Sequence, residues 1–252
     1  MSLYEKHNYL NKDIEYLIGR EIIEYDIQSA GFNICKRYGL LDERRLAHLE
    51  SLDKKRRQIT IGLYQQQSQD FKDELNAKFV EVRKEFFEAN QLQDEDVLSI
   101  KKDAIITLRR CHNVRFNNIV FSDKHVYTSY FYLNKLEFYV NDRDIHVKGI
   151  SDDKLRLHMN YMLDFLHKIF RLMQTNPNKR YIIDSLTQFA SFYKRGELHI
   201  GYYRELNTDS LYKLNRSFMQ DFIGLHDVDS LDGIDISYNY MQYVVPIINI
   251  LL

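Results

Sequence analysis

Between Gln69 and Asn90 the apolar residues Phe71, Leu75, Phe79, Val82 and Phe86 recur at helical spacing with charges between them. That period predicts an amphipathic helix. Upstream, "LIGREIIEYDI" (17–27) reads as a strand ending at Asp26. Residues 30–40 read as a helix closed by Gly39, a residue suited to a helix C-terminus. Residues 42–66 read as a further helix carrying the cluster "KKRR". After the polar break "QLQDED", the segment "VLSIKKDAIITL" (97–108) places β-branched residues on both sides of a polar centre at Lys101–Asp103. It predicts a strand, a tight turn and a second strand.

Residues 112–150 are strand-rich: "HVYTSYFYL", "LEFYV" and "IHVKGI" are separated by "NK" and "NDRD" turns. After Gly149 the character changes. Leu155, His158, Met162, Phe165, Ile169 and Met173 share one helical face over 152–174. Helices are also predicted over 179–194 and 208–222. The fold class is therefore α+β: an antiparallel sheet with helices over 1–150, then a mostly helical part over 151–252.

Composition narrows the function. Lys plus Arg is 35 and Asp plus Glu is 36, so a uniformly basic nucleic-acid binder is excluded while a local basic groove is not. The two cysteines, Cys35 and Cys111, are far apart and form no zinc or disulfide pattern, which fits a reducing, cytoplasmic setting. "VVPIINILL" is too short to span a bilayer, so no membrane association is expected. Nineteen Tyr, no Trp and two Pro suggest an AT-rich genome, that of a low-GC bacterium or its phage.

The informative feature is a pair of segments. "EYDIQSAGFNI" ends a strand in Asp26 and turns into a helix; "SIKKDAII" puts Asp103 at or near a hairpin tip. Singly, Asp26 could be a helix N-cap and Asp103 a turn residue. Side by side in one sheet, they would present two carboxylates able to hold divalent metals for displacement at phosphorus.

This order resembles the palm of template-dependent DNA polymerases of families A and B. In family B, motif A reads roughly D-x-x-S-L-Y-P-S-I, and "DIQSAGFNI" supplies Asp26, Ser29 and Ile34 at matching positions. Motif C is Y-x-D-T-D-S, and Asp103 matches its second aspartate. Between them "KKRRQITIGLY" (54–64) is similar to the fingers helix with its following Y-G or F-G step. "YLNKLEFYV…IHVKGI" (132–150) is similar to the strand and K-G-I step that lead into the thumb.

The resemblance implies a palm over 1–150 with minimal fingers at about 42–92 and a thumb-like part over 151–252. It implies catalytic Asp26 and Asp103 holding Mg²⁺ or Mn²⁺, with the carbonyl of Ile27 as an extra ligand. Lys54, Lys55, Arg56, Arg57 and Tyr64 would bind a nucleoside triphosphate. Lys101, Lys102 and Lys148 would lie near nucleic acid.

The chain departs from the family in three respects. The separation of the two aspartates is short, Lys101 replaces the first motif C aspartate, and Gly31 or a neighbour replaces the bulky motif A residue. Two readings follow. One is a compact nucleotidyl transferase of DNA replication. The other is a degenerate palm that binds nucleic acid or a replication-protein partner. A plain α+β domain without polymerase ancestry would instead leave the two aspartates far apart. No P-loop, nucleophile elbow or histidine metal motif is present.

Overall fold

The computed structural model describes residues 2–176, 178–203, 206 and 240–252. The helix expected over 208–222 lies outside them. The described residues form two compact units. The first comprises Met1–Asp13 and Glu21–Val126, the second Ile14–Arg20 and Tyr127–Leu252.

In the first unit, β1 (Asn8–Leu10) pairs with β3 (Val97–Lys101), β3 with β4 (Ala104–Thr107), and β4 with the C-terminal half of β2 (Tyr16–Ile27), all antiparallel. The short β5 (Arg115–Phe116) pairs with the start of β6 (Ile119–Leu133). Four helices accompany this sheet: α1 (Ala30–Tyr38), α2 (Glu43–Ser51), α3 (Lys54–Gln67) and α4 (Gln69–Asn90). The helical periodicity of α4 buries Leu75, Phe79, Val82 and Phe86 against Tyr25, Ile100, Ile105 and Phe121. Each such side chain contributes on the order of 1.5–3 kcal/mol by leaving water.

The helix expected over 42–66 is two helices. Asp42 and Asp53 are both N-caps, accepting from the N–H groups of Arg45 and Arg56 at 2.8 and 2.9 Å. Aspartate favours that position, so the second cap opens a new helix where the apolar pattern alone reads through. Ser68 does the same for α4. Gly39 closes α1 in the left-handed conformation, as glycine does at no steric cost.

In the second unit, the end of β6, β7 (Leu136–Val140) and β8 (Ile145–Lys148) form an antiparallel meander. Phe131, Phe138 and Val140 form a core with α6 (Met162–Thr175), α7 (Lys179–Lys194) and α8 (Val245–Leu251); Phe131 stacks on Phe170 at 4.0 Å. Non-helical backbone at Tyr161 separates α6 from α5 (Asp152–His158), where one helix was expected. Among the described residues, no helix is long and apolar enough to cross a membrane.

Candidate functional site

The site of interest lies in the first unit, where β2 ends beside the β3–β4 turn. Asp26 faces Ala104 across the β2–β4 ladder, and the next residue, Ile27, donates its main-chain N–H to the carbonyl of Asp103 at 3.0 Å. The ladder therefore brings together two residues remote in sequence. Asp26 is a strand residue and does not cap α1; the N-cap position belongs to Ser29, in left-handed backbone, and Asn33 steadies that turn by donating to the Gln28 carbonyl at 2.6 Å.

The hairpin turn consists of Lys102 and Asp103, since Lys101 pairs with Ala104. Lys102 has φ 39°, a costly conformation for a side chain with a Cβ. The turn is pinned from both directions. The Lys102 N–H donates to the His7 carbonyl at 2.7 Å, and the Lys102 carbonyl accepts from Arg83 Nη1 at 2.6 Å. Arg83 is fully buried and also donates to the Tyr4 carbonyl at 2.8 Å through Nε. Burial pushes its guanidinium down to about 10, against the attraction of the Asp103 carboxylate.

The two carboxylates feel each other. Burial and then the negative charge of Asp26 raise the Asp103 carboxyl above its ordinary value, while its own N–H, Lys124 and Lys102 draw it back down. Lys124 of β6 forms an ion pair with Asp26, Nζ to Oδ2 at 3.5 Å.

Asp103 lines a cavity of about 160 Å³, whereas Asp26 and Ile27 are not among its lining residues. Its lining includes Ser29, Ala30, Gly31 and Phe32 from the start of α1, and Lys102 and Asp103 from the turn. Leu75 and Phe79 of α4 also contribute. From α3 come Lys54, Arg57, Gln58, Ile61, Gly62 and Gln65, which recur at the three- and four-residue steps of a single helix face. A Cβ added at Gly31 would touch the Ile61 side chain at 3.4 Å, so the cavity owes part of its width to that missing side chain.

The basic cluster is divided by its helix. Lys54 and Arg57 line the cavity, whereas the exposed Lys55 and Arg56 are not among its lining residues, and Arg56 pairs with Asp53 at 3.4 Å. Arg57 has structural duties as well. Nε donates to the Leu49 carbonyl and Nη2 to the Leu52 carbonyl, both at 2.9 Å, closing the end of α2, and the guanidinium lies 4.4 Å from the Phe32 ring centre. Tyr64 packs edge-on to Phe71 and is not among the lining residues. Lys102, expected near nucleic acid, faces the cavity, its ammonium 5.0 Å from the Phe79 ring centre. Lys101 ends β3. Lys148 ends β8 in the second unit, its ammonium 5.2 Å from the Tyr139 ring centre.

As a metal site the donor set is sparse but suitable. Among the described residues no group of three His, Cys, Asp or Glu side chains could hold a metal ion. Two carboxylates are nevertheless the usual protein contribution to Mg²⁺, which keeps waters and takes phosphate oxygens for the rest. A cation there would also offset the burial and, after it, the Asp26 charge that raise the Asp103 carboxyl. The residues thus fit Mg²⁺ or Mn²⁺.

Sequence reasoning missed Lys124 and Arg83. Lys124 gives no linear signal. Arg83 does, because it stands four residues after Phe79 and three before Phe86, on the buried face of an otherwise apolar helix stripe.

The chain belongs to a bacteriophage protein family: residues 1–252 match the family model described as "Bacteriophage PBS1 gene 130 protein". No curated protein matches it.

Proposed function

We propose that this phage protein is a compact, polymerase-like nucleotidyl transferase that acts on nucleic acid in the cytoplasm of the infected cell. The observation that carries the reading is the adjacency of Asp26 to Asp103, which itself lines a cavity together with Lys54, Arg57 and Lys102. Carboxylates and cations side by side suit a metal-bound triphosphate, whose oxygens need both a metal and positive side chains.

In this reading Asp26 and Asp103 would hold the Mg²⁺ or Mn²⁺, with the Ile27 carbonyl as a further ligand. When bound, the metal ions supply Lewis-acid activation of a terminal hydroxyl and neutralise the developing charge. Lys54, Lys102 and the free edge of Arg57 receive the triphosphate oxygens. Gly31 leaves room for the nucleotide beside Ile61. A terminal hydroxyl oxygen forms a bond to the α-phosphorus as the bond to pyrophosphate breaks and the hydroxyl proton passes to solvent water, and fixed cations stabilise the charge that gathers on the leaving oxygens. Lys101 is assigned to the nucleic-acid backbone, and such contacts weaken steeply with salt.

A second reading is favoured by the Lys124–Asp26 ion pair, which already neutralises part of the carboxylate charge. A degenerate palm that binds nucleic acid or a replication-protein partner would need no metal. Incubation with a labelled primer–template, nucleoside triphosphates and Mg²⁺ or Mn²⁺ separates the two. Metal-dependent extension that is lost in Asp26→Asn and Asp103→Asn supports the transferase. Binding of the primer–template without extension, unchanged in both variants, supports the binder.

A further inference from the structure

We propose that Lys124 is a built-in counterion of the carboxylate pair: its ammonium stands beside Asp26 in the metal-free protein, and a divalent ion binds there by displacing it. This inference rests on the reading that Asp26 and Asp103 hold a metal.

The position of Lys124 is fixed by strand geometry. Gln28 donates its N–H to the Val120 carbonyl at 2.9 Å, and the Ser122 hydroxyl donates to the Asp26 carbonyl at 3.2 Å. These bonds hold β6 beside the end of β2. Residues two apart share a strand face, so Lys124 follows Ser122 on the same side. From there its Nζ reaches Asp26 Oδ2 at 3.5 Å.

Three cations surround the pair, each from a different element. Arg83 of α4 is buried and committed to the carbonyls of Tyr4 and Lys102. Lys102 lies over the Phe79 ring and lines the cavity. Lys124 has a side chain 49% exposed, against 23% for Asp26. Its ammonium can swing into water at little cost, since exposed ion pairs are weak. Its charge also acts on Asp103, drawing that carboxyl down against burial and against Asp26.

A tethered monovalent cation and a divalent ion cannot share the same carboxylate oxygens without strong repulsion. Lys124 therefore lowers the affinity for metal alone. It also leaves a mobile ammonium at the site once metal has entered, where an anionic ligand can take it up.

The test is a Mn²⁺ titration read by electron paramagnetic resonance of the free ion. It compares the full-length wild type with Lys124→Met, Lys124→Arg and Asp26→Asn. The expected result is binding about fivefold tighter in Lys124→Met, the scale of one exposed ion pair. Lys124→Arg, which keeps the charge, should stay near wild type, and Asp26→Asn should lose binding. If the wild type binds Mn²⁺ and Lys124→Met binds it equally or more weakly, the counterion role is overturned while the metal site stands. If neither the wild type nor Lys124→Met binds Mn²⁺ above the Asp26→Asn background, the metal reading and this inference fall together.

Discussion

The main-chain N–H of Ile27 donates to the carbonyl of Asp103 at 3.0 Å. This bond ends the β2–β4 ladder, whose register sets Asp26 beside Asp103. Because the contact is main-chain, either carboxylate can be changed to its amide without removing what brings the two segments together. Site and scaffold can thus be tested separately.

The Asp103 carboxyl titrates above its ordinary range, through burial first and the charge of Asp26 second. A carboxyl with a raised folded-state pKa binds more protons folded than unfolded. Its contribution is fully present below the unfolded pKa and is lost as pH rises through the folded value. Asp103→Asn removes that loss. In calorimetry with chelator present, the variant should melt roughly 2 °C above wild type at neutral pH, and this advantage should vanish in acid. Millimolar Mg²⁺ should reverse the order, because it stabilises only the chain that binds it.

The basic cluster should divide by function. Lys54→Ala should leave the melting temperature within about 1 °C, since surface substitutions rarely matter more. It should weaken binding of a fluorescent nucleoside triphosphate, and the loss should shrink at high salt. Arg57→Ala should instead cost about 1–2 kcal/mol in urea unfolding, because the carbonyls of Leu49 and Leu52 lose their donor.

Arg83 should prove indispensable to the turn. Arg83→Met leaves the carbonyls of Tyr4 and Lys102 without their donor and should cost about 2–4 kcal/mol in urea unfolding. Mn²⁺ binding should weaken as well, since the strained Lys102 backbone would no longer be held. A variant with unchanged stability would show that the guanidinium bonds contribute little.

Gly31 gauges the cavity. Gly31→Ala places a methyl group at ordinary contact distance from Ile61 and should be tolerated. Gly31→Phe fills the opening between α1 and α3. It should reduce nucleotide binding at least tenfold in a titration, while Mn²⁺ binding to the carboxylates persists. Loss of both would mean that the substitution disturbs the β2 end itself.

Much of this arrangement was legible in the sequence, and the gaps have physical causes. The α4 stripe from Leu75 to Phe86 and the β-branched runs flanking Lys101–Asp103 announce themselves by period. The pairing of β2 with β4 is non-local, so the sequence placed Asp26 and Asp103 together only on the condition that their two strands lie side by side. The break between α2 and α3 was hidden because Asp53 sits inside a continuous polar pattern, where a cap and a surface residue look alike. The structural duty of Arg57 stayed hidden because a sequence shows charge and not the carbonyls of Leu49 and Leu52 that engage it. Lys124 was invisible for the same reason: its role depends on the register of β6 against β2.

In the proposed function Asp26 and Asp103 form a working metal centre. The most direct measurement is anomalous diffraction from crystals soaked in Mn²⁺ and a non-hydrolysable nucleoside triphosphate. The expected result is a Mn²⁺ peak between the two carboxylates, with the triphosphate in the cavity against Lys54 and Lys102. A second peak should lie roughly 3.5–4 Å from the first, the separation seen in two-metal sites. Density showing Asp26 and Asp103 side by side, with Lys124 still paired to Asp26 and no Mn²⁺ between them, would contradict it.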